Sequence, residues 1–345
     1  MNTGKGLFHL LIVIACACLS ACQAHADRQS AATRPEKSAE ELSTNHVRSI
    51  EQLSEILLKE PHNRDALLER AQQFCALGHL DDAVDDYKAL LAFEPHDSYA
   101  LACWADVESW QYNLERATDL YTEALLYGSC NSITYNNRGL AQLKRGRLLN
   151  AEDDFLNAIL LDPKAGIYRL NFARVEYEKG NLIASVVSLS ESILLDPTNP
   201  MAYNNRAYIR EKLGDVKGAI VDYDRACEMD SQYYDAFVNR GRAYRELKRW
   251  ELANHDFDRA IAIDSREPDA YFERATLSQA QNNSQDAVKA CDDALARCGF
   301  DSAYKLEILE YRIELYRALG QEQNARNDEV EAGVLRIELG NPGPH

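Results

Sequence analysis

The chain has 345 residues, 46% of them apolar, with a formal net charge of −17 and only 9 prolines and 16 glycines. That composition can bury a sizeable core and suits an all-helical chain broken at intervals. So acidic a bulk surface repels nucleic acid and anionic membranes, which excludes both as ligands of that surface.

Residues 1–21 read as an export signal. Lys5 gives a short basic start, and Leu7 to Leu19 is apolar apart from His9. Such a run is too short to span a bilayer comfortably but fits a signal-peptide core. It ends in Leu19-Ser20-Ala21-Cys22, which resembles the lipobox of bacterial lipoproteins. That resemblance implies lipid on the Cys22 thiol and a new N-terminus there. Ordinary secretion, with cleavage after Ala24-His25-Ala26, is the other reading. If the host is Gram-negative, Gln23 after the cysteine resembles the outer-membrane sorting pattern, which implies a place on the periplasmic face of the outer membrane. Residues 22–45 are polar and aperiodic, a flexible tether with a reach of roughly 25–30 Å. Residues 46–63 hold a capping helix, with Ile50, Leu53, Ile56 and Leu57 on one side.

From Arg64 the chain repeats every 34 residues without a gap, with units starting at Arg64, Ser98, Ser132, Gly166, Pro200, Tyr234 and Pro268. Position eight is always small (Ala71, Ala105, Gly139, Ala173, Ala207, Gly241, Ala275), and positions twenty and twenty-seven are almost always Ala or Ser. Position twenty-four is bulky in Tyr87, Tyr121, Phe155, Leu189, Tyr223 and Phe257, then Cys291. A turn residue stands at fifteen in Gly78, Gly146, Gly180, Gly214 and Asn282, and Pro95, Pro163 and Pro197 end three units. Each unit therefore reads as two helices joined by a tight turn, with small residues allowing close approach and an aromatic between them. One unit cannot bury its apolar face alone, so units stack. Residues 302–339 recover the pattern as a divergent eighth unit. Gly320, Ala325 and Ala332 fall at fifteen, twenty and twenty-seven if about four residues are inserted after Gly299. Residues 340–345 are a loose tail.

The period and these positions over 64–301 resemble the tetratricopeptide repeat. The resemblance implies an all-α solenoid, a right-handed superhelix of about eight helix-turn-helix repeats that binds other proteins in its concave groove.

Two sets of positions are left over from packing. Arg70, Arg138, Arg206, Arg240 and Arg274 occupy position seven, and Asp86, Asp154, Asp222 and Asp256 follow the first four at position twenty-three. Units with Trp104 or Phe172 at seven have Leu120 or Ser188 at twenty-three, so the two sites vary together as structural ion pairs would; Arg274, facing Ala290, breaks the rule. Asn137, Asn171, Asn205 and Asn239 fill position six of four successive units. They resemble the asparagine ladder of peptide-binding members, in which each amide donates to and accepts from an extended guest; bonding between neighbouring helices is the other reading. Arg174, Tyr208 and Arg242 at nine, with Tyr177 and Arg245 at twelve, would make the same surface basic and aromatic and attract an acidic segment. Alternatively they pair with Glu176, Glu178 or Glu246 on their own helices. The unit 166–199, with Arg169, Ser185 and Ser192 at packing positions, is expected to be the softest.

Cys75, Cys103, Cys130, Cys227, Cys291 and Cys298 form no CxxC pair and fit as free thiols at helical positions. Hydrolase, phosphate-loop, dinucleotide and metal-ligand motifs are missing, so no catalytic residue, metal or cofactor and no small-molecule substrate is expected. The favoured function is a lipid-anchored envelope scaffold for protein partners. A self-associating envelope protein without a peptide ligand stands second, and an enzyme of an unrecognised kind third.

Overall fold

A computed structural model describes residues 39–299 and 301–340. The signal segment, Cys22 and most of the tether lie outside the described residues, as do residues 341–345. The described residues form seventeen helices and no strands. They fall into two compact blocks, divided between Pro163 and Lys164.

In the first block, α1 (Ala39–Lys59) precedes three helix pairs. These are α2 (Arg64–Ala76) with α3 (Leu80–Phe93), α4 (Ser98–Trp110) with α5 (Leu114–Leu126), and α6 (Ser132–Lys144) with α7 (Leu148–Leu161). Helix α1 begins at Ala39 and so takes in residues 39–45, assigned above to the tether. Leu53 and Leu57 are buried, but Ile56 is exposed, contrary to its expected place on the packed side. Asn63, Asp97 and Asn131 cap α2, α4 and α6 by accepting backbone amide protons at their first turns.

The second block holds five pairs. They are α8 (Gly166–Glu178) with α9 (Leu182–Leu195), α10 (Pro200–Lys212) with α11 (Val216–Met229), and α12 (Tyr234–Glu246) with α13 (Trp250–Ile263). Then come α14 (Asp269–Ala280) with α15 (Ser284–Leu295), and α16 (Ser302–Ala318) with α17 (Glu322–Glu338). The residues inserted before the last pair lengthen α16 at its start instead of forming a loop.

The core of each pair follows from the small and large positions. The alanines at eight, twenty and twenty-seven are essentially inaccessible, and Tyr87, Tyr121, Phe155, Tyr223 and Phe257 fill the space they leave. Glycine at eight goes with phenylalanine at twenty-four: a Cβ on Gly139 or Gly241 would meet the Phe155 or Phe257 ring at 2.9 or 2.5 Å. Position fifteen is left-handed in every complete repeat, including those where it is Tyr112 (φ 63°) or Lys248 (φ 57°). The turn geometry is thus imposed by packing even where no glycine relieves it.

Of the three residues that set the unit 166–199 apart, Arg169 donates to Glu191 (2.6 Å) and leaves its buried Nε without a hydrogen-bond partner among the described residues, whereas the two serines are satisfied. Ser185 and Ser192 are fully buried, and their hydroxyls donate to the carbonyls of Ala173 (2.6 Å) and Gly166 (2.8 Å) on the facing helix. A satisfied small polar residue replaces alanine there at little cost.

Candidate functional site

The position-seven arginines form one recurring device. Arg70, Arg138, Arg206 and Arg240 each donate from two guanidinium nitrogens to the aspartate sixteen residues on, at 2.6–3.2 Å. These aspartates are almost wholly buried, so the bidentate fork satisfies charges that could not otherwise stay in the core. Arg312 holds Asp328 in the same way, at 2.7 and 2.8 Å. That pair is not among those expected above, although the register of the eighth repeat places both residues at seven and twenty-three.

A second link was also missed. The remaining guanidinium nitrogen reaches back sixteen residues: Arg70 to Ser54, Arg138 to Thr122, Arg206 to Ser190, and Arg240 to Asp224. Each arginine therefore ties its own pair to the helix that precedes it, which is α1 for Arg70 and the second helix of the pair before for the other three. Where position seven is Trp104, the residue sixteen back is Lys88, whose ammonium lies 5.9 Å from the indole.

The first helices of the pairs carry the expected binding residues, and many of these bond to one another. In the first block, Asn137 donates to Asp106 (2.9 Å) and accepts from Asn136 (3.1 Å). Asp106 also accepts from the Tyr121 hydroxyl, and burial pushes its pKa up to about 6 against those two donors. In the second block, Asn239 donates to Asn204 (3.0 Å) and accepts from Arg242 (2.6 Å). Asn171 is buried and has an intramolecular partner, and half-buried Arg174 has one as well. Asn205 differs: it is half-buried, its carboxamide oxygen accepts from Asn204 (3.4 Å), and its NH₂ donates to none of the described residues.

Arg242 and Arg245 are compensated from a neighbouring helix and not by Glu246 on their own. Arg245 donates to Glu273 (2.6 Å) and Thr276, and Arg242 lies 3.5 Å from Glu273. Glu273 and Thr276 stand on α14, so these contacts join successive first helices and are not made within one helix. Burial works to lower the Arg242 pKa, but the acidic groups around it, Glu273 foremost, carry it above its ordinary value. Tyr177 and Tyr208 meet edge to face at 5.9 Å, and the Lys212 ammonium sits 5.2 Å from the Tyr208 ring. Burial, then Tyr208, pushes the Tyr177 hydroxyl up to about 12, so it stays a donor. The half-open part of the row is thus Asn205, Tyr208 and Tyr177, with Lys212 beside them.

No cysteine is paired among the described residues. Burial pushes Cys75 and Cys298 up to about 11 and Cys227 and Cys291 up to about 12, which makes them poor nucleophiles near neutrality. Among the described residues no cluster of His, Cys, Asp or Glu could hold a metal ion, and no helix is long and apolar enough to cross a membrane.

Two family models described as tetratricopeptide repeat match residues 202–233 and 238–302. No curated protein matches the chain. Among solved structures, a tetratricopeptide repeat protein from Parabacteroides merdae superposes with a TM-score of 0.60 at 17% identity, over 72% of this chain and 98% of its own. Yeast Tom70 follows at 0.59 and 18%, over 83% of this chain and 62% of that one. PilW, described as a type IV pilus biogenesis factor, gives 0.54 and 19%, over 61% and 94%. At these identities the likeness is one of fold, a solenoid of paired helices.

Proposed function

The chain is a tetratricopeptide-repeat protein, and we propose that it acts as a scaffold, holding an extended segment of a partner protein against its first helices. The observation that carries this reading is the side chain of Asn205. Its NH₂ donor is uncommitted among the described residues and stands in the same helix as Tyr208, which presents a half-open ring beside Lys212. An extended peptide offers backbone carbonyls for such a donor and side chains for such a ring. Asn137 and Asn239 hold the neighbouring helices in register, so the ladder contracts from four asparagines to Asn205 and its neighbours. Arg242 and Arg245, already paired with Glu273, fix the helix spacing and leave little free positive charge for an acidic guest.

The setting belongs to the same proposal: Cys22 is lipidated, and residues 23–38 carry the repeats away from the bacterial envelope membrane to which the lipid is bound. The sequence Leu19-Ser20-Ala21-Cys22 behind an apolar run supports this.

The test is affinity capture from native membranes with Asn205→Ala and Cys22→Ala chains. Asn205→Ala should release partners while the chain stays folded and membrane-bound. Cys22→Ala should lose incorporation of labelled fatty acid and leave the membrane fraction. Undiminished capture by Asn205→Ala would refute the binding face, and unchanged lipid labelling of Cys22→Ala would refute the anchor.

A further inference from the structure

Arg274 is the one position-seven arginine of the described repeats whose position-twenty-three partner is not a carboxylate, since Ala290 stands there. In the five paired repeats position twenty-three is closed, with Asp86, Asp154, Asp222, Asp256 and Asp328 only 1–6% exposed. Ala290 is partly exposed, so the space a carboxylate would fill opens to solvent. A cavity of about 430 Å³ lies there, bordered by Arg274, Ala290, Trp250 and Tyr271. The Arg274 side chain is 41% exposed, against 14–22% for the arginines that hold an aspartate. It keeps only the backward link, to exposed Asp258 at 3.3 Å.

We propose that this cleft is a docking site for a carboxylate borne by a partner peptide. The guanidinium is a planar fork matched to a carboxylate, and the fold shows five times where that carboxylate sits. An incoming side-chain or C-terminal carboxylate takes beside Arg274 the place Asp256 takes beside Arg240. The other charges at the rim set the character of the ligand. Asp286 lies 3.6 Å from Lys289, and Asp293 lies 3.6 Å from Arg297, while Glu251 is exposed. With Asp286 and Asp293 each beside a cation, Glu251 is left as the unbalanced rim charge, and it disfavours a run of acidic residues. The site therefore selects a single carboxylate next to an apolar or aromatic residue that can lie against Trp250 and Tyr271. It is separate from the Asn205 face and does not depend on binding there.

The test is fluorescence polarisation with the full chain and two labelled peptides. One carries a C-terminal Phe with a free carboxylate and no acidic side chain. The other is C-terminally amidated with a single Glu beside Phe. Ala290→Asp supplies the carboxylate from within, and Arg274→Gln removes the fork. We expect at least one peptide to bind saturably, and both substitutions to weaken it by about tenfold or more. Asn205→Ala should leave the affinity unchanged, which separates this site from the first-helix face. The peptide that responds identifies the source of the carboxylate. If Ala290→Asp folds poorly, Arg274→Gln alone decides. Failure of both peptides to bind, or undiminished binding to the folded variants, overturns the proposal.

Discussion

Arg240 donates to both carboxylate oxygens of Asp256, at 2.7 Å each, and with its third nitrogen reaches Asp224 on the helix pair before. One side chain thus closes a repeat and fastens it to its neighbour. Asp256 is 1% exposed, so removing Arg240 would strand a buried charge. Arg240→Ala should cost about 3–5 kcal/mol. Arg274→Ala, which breaks only an exposed pair, should cost about 0–1 kcal/mol. Urea unfolding midpoints of the two variants check the contrast; equal losses would mean that the aspartate, and not its burial, sets the cost.

The repeat was legible because its signals are steric. Alanine at eight, twenty and twenty-seven and an aromatic at twenty-four leave one way to pack two helices, and the Arg–Asp spacing is fixed inside that unit. The backward link was not legible. Its acceptors are Ser54, Thr122, Ser190 and Asp224, which share hydrogen-bonding capacity but no residue type and lie outside the arginine's own unit. The asparagine row was only half legible for a related reason. Sequence places Asn137 and Asn239 on the right helices but does not show that Asp106 and Asn204 stand ready to receive their donors.

Glycine at position eight accommodates the phenylalanine ring opposite. A methyl at Gly241 would stand 2.5 Å from Phe257. Overpacking costs about 1–3 kcal/mol and the helix propensity of alanine returns about 1. Gly241→Ala should therefore be destabilising in thermal melts, and Gly139→Ala, with 2.9 Å of room, less so. Phe257→Leu in the same chain should recover part of the Gly241→Ala loss.

Lys248 holds a left-handed turn, φ 57°, where other repeats have glycine. Relief of that conformation is worth about 1–2 kcal/mol, less about 0.5–1 for the freedom glycine adds to the unfolded chain. Lys248→Gly should raise the unfolding midpoint, and Gly214→Lys, at φ 84°, should lower it. A Lys248→Gly chain no more stable than its parent would show that the turn stores no strain.

Asp106 gives the first block a pH dependence of known sign. Burial carries its pKa from the ordinary 3.8 to about 6 in the folded chain. The folded state therefore binds a proton more tightly than the unfolded one. The stability this contributes is complete below about 3.8 and is lost as pH rises to about 6, in all roughly 3 kcal/mol. Asp106→Asn keeps an acceptor for Tyr121 and Asn137 without the buried charge. It should be more stable than the parent at pH 7 and should flatten the melting profile between pH 4 and 6.

The most direct test of the binding face is photo-crosslinking in living cells with a benzophenone amino acid at Tyr208, compared with the same group at Leu194, an exposed site on the second helix α9. A partner held at this face gives discrete protein adducts from position 208, lost on Asn205→Ala, and none of the same adducts from position 194. Adducts from 194 alone, or adducts at 208 indifferent to Asn205, would contradict that binding face.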